Sequence, residues 1–258
     1  MKADEIEKRD EIRKKYEVEW RKALEEHDYA KAFSKAVMTA RLTKQMVGDA
    51  KLLLQLLGIP YIQAPSETEA QCAYMAIKGD VWAANSRDYD SLLFGAPRLV
   101  RYITISGKEF LPSRGVSRKL MPELIELREF LVHHGITREQ LIDLAILIGT
   151  DFNSGIRGLG PKKALKLIKL YRSLDQLSVD LRTQLPGNYA EIREIFLKPA
   201  VTDDCDLVYE RANEEGLIRF LCEEHDFSSD RVEKVIERMR GVSQSINSQS
   251  ELEDWFDK

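Results

Sequence analysis

Five carboxylates have the spacing to build a site for a hard metal ion: Glu67, Glu69, Asp88, Asp90 and Asp151. Ions such as Mg²⁺ take oxygen ligands and usually keep several waters. A pair of such ions, about 4 Å apart, needs several acids converging from different segments, because both charges must be neutralised. The acids here come from three segments. Glu67 and Glu69 open a predicted helix just after a predicted strand. Asp88 and Asp90 lie two apart at a strand end, where period-two geometry aims both the same way. Asp151 follows an apolar helix in Gly149-Thr150-Asp151. Each acid also has a plainer reading. Ser66-Glu67-Thr68-Glu69 has the form of a capping box, with Ser66 as N-cap. Asp90 could cap a helix starting at Ser91, and Asp151 could be an ordinary turn residue. Taken singly, each reads more simply that way, so metal binding is a reading of the set.

The elements that must position these residues follow from the pattern. Residues 1–26 hold 17 charged side chains, nine acidic and eight basic, with no proline or glycine, and read as a helix. His27-Asp28 marks a break. From Tyr29 to Gly48 there is no acid, while Lys31, Lys35, Arg41 and Lys44 occur among apolar residues. This predicts a second, basic-faced helix running on to Gly58, and the pair suggests a projecting arm. An α/β pattern follows: a strand over Ile59–Gln63, a helix to about Lys78, a strand over Val81–Asn85 and another over Leu99–Ile105. Alternating strands and helices argue for a mainly parallel sheet with ligands at the strand ends. Residues 121–149 read as helical, with His133-His134 ending a helix before Gly135. Residues 190–240 read as mixed helices, and Gly241–Gln249, rich in Ser, Gln and Asn, as a linker.

The glycine-rich turn is more specific. Ile156-Arg157-Gly158-Leu159-Gly160-Pro161-Lys162-Lys163-Ala164 reads as a helix–hairpin–helix element. Gly158 and Gly160 let backbone N–H groups approach a phosphate, and the next helix presents its positive end there. Pro161 suits a first helical turn. Lys162, Lys166 and Lys169 share a face, with Lys163 and Arg172 nearby, and no acid occurs between Phe152 and Leu174. Such a surface grips DNA backbone without reading sequence. The plainer alternative is a tight turn followed by a solvated basic helix.

Composition narrows the classes. A chain of 258 residues, 43% hydrophobic, can form one large domain or two small ones. Its formal net charge of −4 does not announce a nucleic-acid binder, but recognition depends on local patches. Cys72, Cys205 and Cys222 are far apart and read as reduced thiols of a cytosolic-type compartment. No apolar run approaches a membrane span, and no secretory signal is expected. The four histidines have no metal-ligand spacing, which disfavours zinc.

The segments Ala64–Ala70, Asp88-Tyr89-Asp90-Ser91-Leu92-Leu93-Phe94-Gly95, and Gly149 through Ala164 resemble flap endonucleases, archaeal ones especially, over essentially the whole chain. The resemblance implies an α/β, PIN-like 5′-nuclease core with a helical arch and a helix–hairpin–helix element. The expected division is 1–50 arch, 51–150 core, 151–240 DNA-binding and C-terminal helical region, and 241–258 linker and tail. It implies cleavage of 5′ flaps in lagging-strand maturation and repair. The five carboxylates would hold two Mg²⁺ ions, with Mn²⁺ as a substitute. The hairpin at 155–160 would bind duplex backbone with a monovalent cation on its carbonyls. Lys2 and Arg9 match the arch residues that face the scissile phosphate, and a separation of seven puts them on one helix face. Gln249, Leu252, Trp255 and Phe256 resemble a motif that docks on a sliding clamp. The family begins upstream of Met1 with a lobe bearing further aspartates. A shortened reading frame, a fragment, or a split protein with a second chain would each explain the start. The setting implied is cytoplasmic for an archaeal protein and nuclear for a eukaryotic one. Two other readings stay open: a binding module without catalysis, and a PIN-like RNA nuclease.

Overall fold

The computed structural model describes residues 2–39, 41–103, 107–111 and 116–243. In chain order it has helices α1 (Lys2–Glu25), α2 (Tyr29–Thr39), α3 (Lys44–Leu56) and α4 (Thr68–Lys78), strand β1 (Ala84–Asn85) and helix α5 (Asp90–Leu93). Strands β2 (Arg98–Arg101), β3 (Lys108–Leu111), β4 (Val116–Lys119) and β5 (Glu123–Glu126) follow. The remaining helices are α6 (Leu127–His134), α7 (Arg138–Ile148), α8 (Pro161–Tyr171), α9 (Val179–Arg182), α10 (Tyr189–Leu197), α11 (Glu214–Ile218) and α12 (Ser229–Ser243).

These elements form two compact units, Met1–Ala40 with Ala64–Val201, and Arg41–Gln63 with Thr202–Lys258. The boundaries expected after residues 50 and 150 do not follow this division. A helix placed by sequence in the arm instead shares a core with C-terminal helices, which adjacency along the chain does not disclose.

In the first unit, α1 and α2 pack as a helical hairpin. Ala23 and Ala32 are buried between charged neighbours, small enough for close approach. Lys35 pairs with Glu19 at 2.6 Å and lies over the Tyr16 ring. The basic helix expected to reach Gly58 stops at Thr39. A new helix, α3, starts after Thr43, whose side chain accepts from the Met46 N–H at 3.1 Å as an N-cap.

The main sheet has the order β1-β2-β5. β1 pairs parallel with β2, and β2 pairs antiparallel with β5. The α/β class stands, but among the described strands the sheet is mixed, and β3 and β4 form a separate antiparallel hairpin. The strand expected at 59–63 is absent. Pro60 lacks a donor N–H and no ladder forms there. The expected strand at 81–85 shortens to Ala84–Asn85, and the one expected at 99–105, of which 104 and 105 lie outside the described residues, is a strand over Arg98–Arg101. Glu123–Glu126, expected as helix, is strand β5. Its register sets Arg98 opposite Glu126 and Arg101 opposite Glu123, so opposite charges face each other at both ends.

The core of this unit joins α4, α5, α7, α8 and α10 through Ala73, Leu93, Ile142, Ile146, Ile168 and Phe196. The second unit closes around Leu217, Val232 and Ile236, with Leu53 and Leu56 of α3 against them. Among the described residues no helix is long and apolar enough to cross a membrane.

Candidate functional site

Helix α4 begins at Thr68, with Glu67 in extended conformation at the cap position and no side-chain cap bond. The capping box of Ser66 and Glu69 therefore does not form. Ala70, Gln71 and Ala73 bury one face of α4, which leaves Glu67 and Glu69 partly exposed at its start.

β1 runs into the turn that carries Asp88 and Asp90. The Ser86 N–H donates to the Val100 carbonyl at 3.3 Å, extending the parallel pairing. The Ser86 hydroxyl donates to Glu69 Oε1 at 3.4 Å and accepts the Asp88 N–H at 3.1 Å. One serine thus joins the start of α4 to the aspartate turn. Asp90 is the first residue of α5, with Tyr89 at the cap position and no side-chain cap bond. The expected alternative, Asp90 capping a helix from Ser91, does not hold. Buried Ser91, Leu92 and Leu93 seat α5 in the core and so fix the backbone of Asp90.

Asp151 follows α7 across Gly149, which sits at φ 112°, in the region that favours glycine. The turn is closed by other residues. Thr150 and Asn153 exchange backbone hydrogen bonds of 2.9 and 3.2 Å, and Asn153 Nδ2 donates to the Ile146 carbonyl at 2.8 Å. Asp151 itself is exposed.

The all-oxygen donor set suits Mg²⁺ or Mn²⁺ in kind. Glu69 and the Asp88 turn are brought together through Ser86, and α5 packs on α4 and α7. Among the described residues, no three His, Cys, Asp or Glu side chains converge as a group able to hold a metal.

The helix–hairpin–helix element is built as its sequence suggests. Gly155 has φ 68°, and a Cβ there would overlap the Ile148 carbonyl at the end of α7. The Ile156 N–H donates to the Leu147 carbonyl at 2.8 Å, and the Leu159 N–H to the Ile156 carbonyl at 3.0 Å. Gly158 takes φ 79°, Gly160 is the N-cap of α8, and Pro161 its first residue. Burial of Ala164 and Ile168 sets the phase of α8, so Lys162, Lys163, Lys166 and Lys169 face solvent. A buried carboxylate locks the element from behind. Asp143 of α7 accepts from Arg193 of α10 at 2.8 and 3.0 Å, and from the Leu174 N–H, just after α8, at 3.1 Å.

Lys2 and Arg9 both lie in α1, and their side chains are outside the described residues. The tail residues Gln249, Leu252, Trp255 and Phe256 also lie outside them. Two residues that support the aspartate turn were not evident from sequence: Ser86, and Arg101 on β2. The signal for Arg101 was a lone charge in the run Leu99-Val100-Arg101-Tyr102-Ile103.

An acid-bearing α/β core joined to a lysine-rich hairpin is the architecture of a nuclease, and residues 58–151 match the XPG I-region family. The chain belongs to the flap endonuclease family, nucleases that act on phosphodiester bonds. It is 50% identical to flap endonuclease 1 of Pyrococcus abyssi, over 100% of this chain and 74% of that protein. The flap endonuclease-1 structure from Methanococcus jannaschii superposes with a TM-score of 0.67 at 44% identity, covering 80% of this chain and 62% of that one. GEN1, a Holliday junction-resolving enzyme solved with product DNA and Mg²⁺, shares the fold with a TM-score of 0.56 at 22% identity over 76% of this chain and 56% of that one. The chain thus spans about three quarters of the length of this curated relative and of others like it, and under two thirds of either solved chain.

Proposed function

We propose that this protein is a structure-specific DNA endonuclease that cleaves 5′ flaps in replication and repair, using divalent cations held by Glu67, Glu69, Asp88, Asp90 and Asp151. The observation that carries the reading is the Ser86 bridge between Glu69 and the Asp88 turn, in a chain 50% identical to a flap endonuclease along its length. Water adds to phosphorus, one P–O ester bond breaks, and the leaving oxygen gains a proton. Bound cations would lower the pKa of a water and steady the leaving oxygen. Lys2 and Arg9 would offset charge developing on the phosphate. Gly158 and Gly160, with Lys162, Lys163 and Lys166, would hold duplex backbone, and a monovalent cation would sit on the carbonyls of 155–160. Gln249, Leu252, Trp255 and Phe256 would dock on a sliding clamp.

The test is cleavage of a 5′-flap substrate with Mg²⁺ or Mn²⁺. Turnover is expected for the wild type and is lost on replacing both Asp88 and Asp90 with Ala. Metal-dependent cleavage retained by that double variant would sink the site assignment.

One observation favours a second reading, a module that binds DNA and clamp without cutting: no three metal-ligating side chains converge among the described residues. Clear flap turnover by residues 1–258 alone would defeat it.

A further inference from the structure

Arg101, the last residue of β2, is 8% exposed. Arginine is almost never that buried unless its donors are paired. Its Nε and Nη2 donate to the main-chain carbonyl of Arg87 at 3.1 and 2.9 Å. Its Nη1 donates to the Tyr89 hydroxyl and, at 3.1 Å, to Glu123 Oε2. The two residues it grips in the turn flank Asp88. The guanidinium also lies against the rings of Tyr89 and Tyr102, 4.1 and 4.4 Å from their centroids. Tyr102 adopts φ 63°, a left-handed backbone that a bulky residue keeps only where its surroundings over-determine it. Glu123 is the register partner of Arg101 on β5, so the grip is anchored in the sheet.

We infer that Arg101 is a positioning residue that sets the turn bearing Asp88 and Asp90, acting through the Arg87 carbonyl and the Tyr89 hydroxyl. The inference rests on the nuclease reading above. The turn is held from two sides, by Ser86 toward Glu69 and by Arg101 from the sheet. A planar guanidinium can donate to a carbonyl, a hydroxyl and a carboxylate at once, whereas a lysine ammonium is a point charge without that fork. An apolar residue would fill this strand position without desolvating a cation. What the arginine adds is geometry for the two aspartates, which a metal site needs from the groups behind its ligands.

The test compares wild type, Arg101→Lys, Tyr89→Phe and Asp88→Ala in the full-length protein. Mn²⁺ binding is titrated by electron paramagnetic resonance without DNA, alongside kcat and KM for flap cleavage and the melting temperature. Arg101→Lys is expected to weaken Mn²⁺ binding and lower kcat by about 10–100-fold, with KM for DNA nearly unchanged. Tyr89→Phe, which removes one acceptor and keeps the ring, is expected to shift both in the same direction by less. Wild-type Mn²⁺ binding and kcat in Arg101→Lys, with only a lowered melting temperature, would overturn the inference. Should Arg101→Lys fail to fold, wild-type values of both in Tyr89→Phe would do the same. If Mn²⁺ binding and cleavage in the parent protein survive Asp88→Ala, or are absent from it, the underlying nuclease site fails, and the inference with it.

Discussion

Replacing Asp143 with Ala tests whether the helix–hairpin–helix element is held by a buried ion pair. The Asp143 side chain is 3% exposed and that of Arg193 20%. Three hydrogen bonds converge on the carboxylate, two from Arg193 and one from the Leu174 N–H. Removing one partner of a buried pair costs about 3–5 kcal/mol, much of it the charge left behind. Arg193 keeps a second partner, Asp175 at 3.1 Å, which places the loss at the low end, about 3 kcal/mol. At 1.4 kcal/mol per decade, amide exchange at Leu174 should then speed up about 100-fold. Urea denaturation measures the first quantity and hydrogen exchange by NMR the second. Duplex affinity should also fall, because the lock sets α7 and the end of α8 relative to one another. Replacing both partners, Asp143→Leu with Arg193→Met, should recover most of the stability, since apolar pairs can match buried ion pairs. A loss below about 1 kcal/mol in Asp143→Ala, the level of an ordinary hydrogen bond, would show that the pair does not hold the element.

Three further outcomes are expected. Gly155→Ala should cost at least about 2 kcal/mol, from left-handed backbone and overlap with Ile148, whereas Gly160→Ala meets open space at negative φ and should cost less than about 1 kcal/mol; equal melting temperatures would contradict this. Lys162→Ala and Lys166→Ala should weaken duplex binding for all sequences alike, each lowering the salt slope by about 0.9 if it meets one phosphate; an unchanged slope would remove these lysines from the interface. The Tyr189 hydroxyl, and then Arg193, hold the Asp175 carboxyl below its usual range. The native state therefore binds this proton less readily than the unfolded chain. Its stabilisation is present above the unfolded value of about 3.9 and lost as pH falls through the lower native value. Tyr189→Phe should raise the Asp175 pKa in a carboxyl NMR titration, and an unmoved titration would show the hydroxyl has no part in it.

Signals local to a few neighbouring residues were readable without the fold. Gly158, Gly160 and Pro161 specify a hairpin and helix start through backbone freedom and a fixed φ. The spacing of Lys162, Lys166 and Lys169 specifies an exposed basic face. The break at His27-Asp28 between α1 and α2 was likewise legible. Long-range pairing and packing set the rest. Glu123–Glu126 is a strand because Arg98 and Arg101 lie opposite its ends, a pairing across more than twenty residues that no window contains. Residues 44–56 leave the arm because their apolar face meets Leu217, not a neighbour in sequence. Glu67 and Tyr89 hold the cap positions of α4 and α5 without side-chain cap bonds, so the acids at 67, 69 and 90 do not serve as the expected caps. Ser86 and Arg101 meet the aspartate turn from different elements, and such contacts are fixed by packing and hydrogen-bond geometry, which residue types alone do not encode.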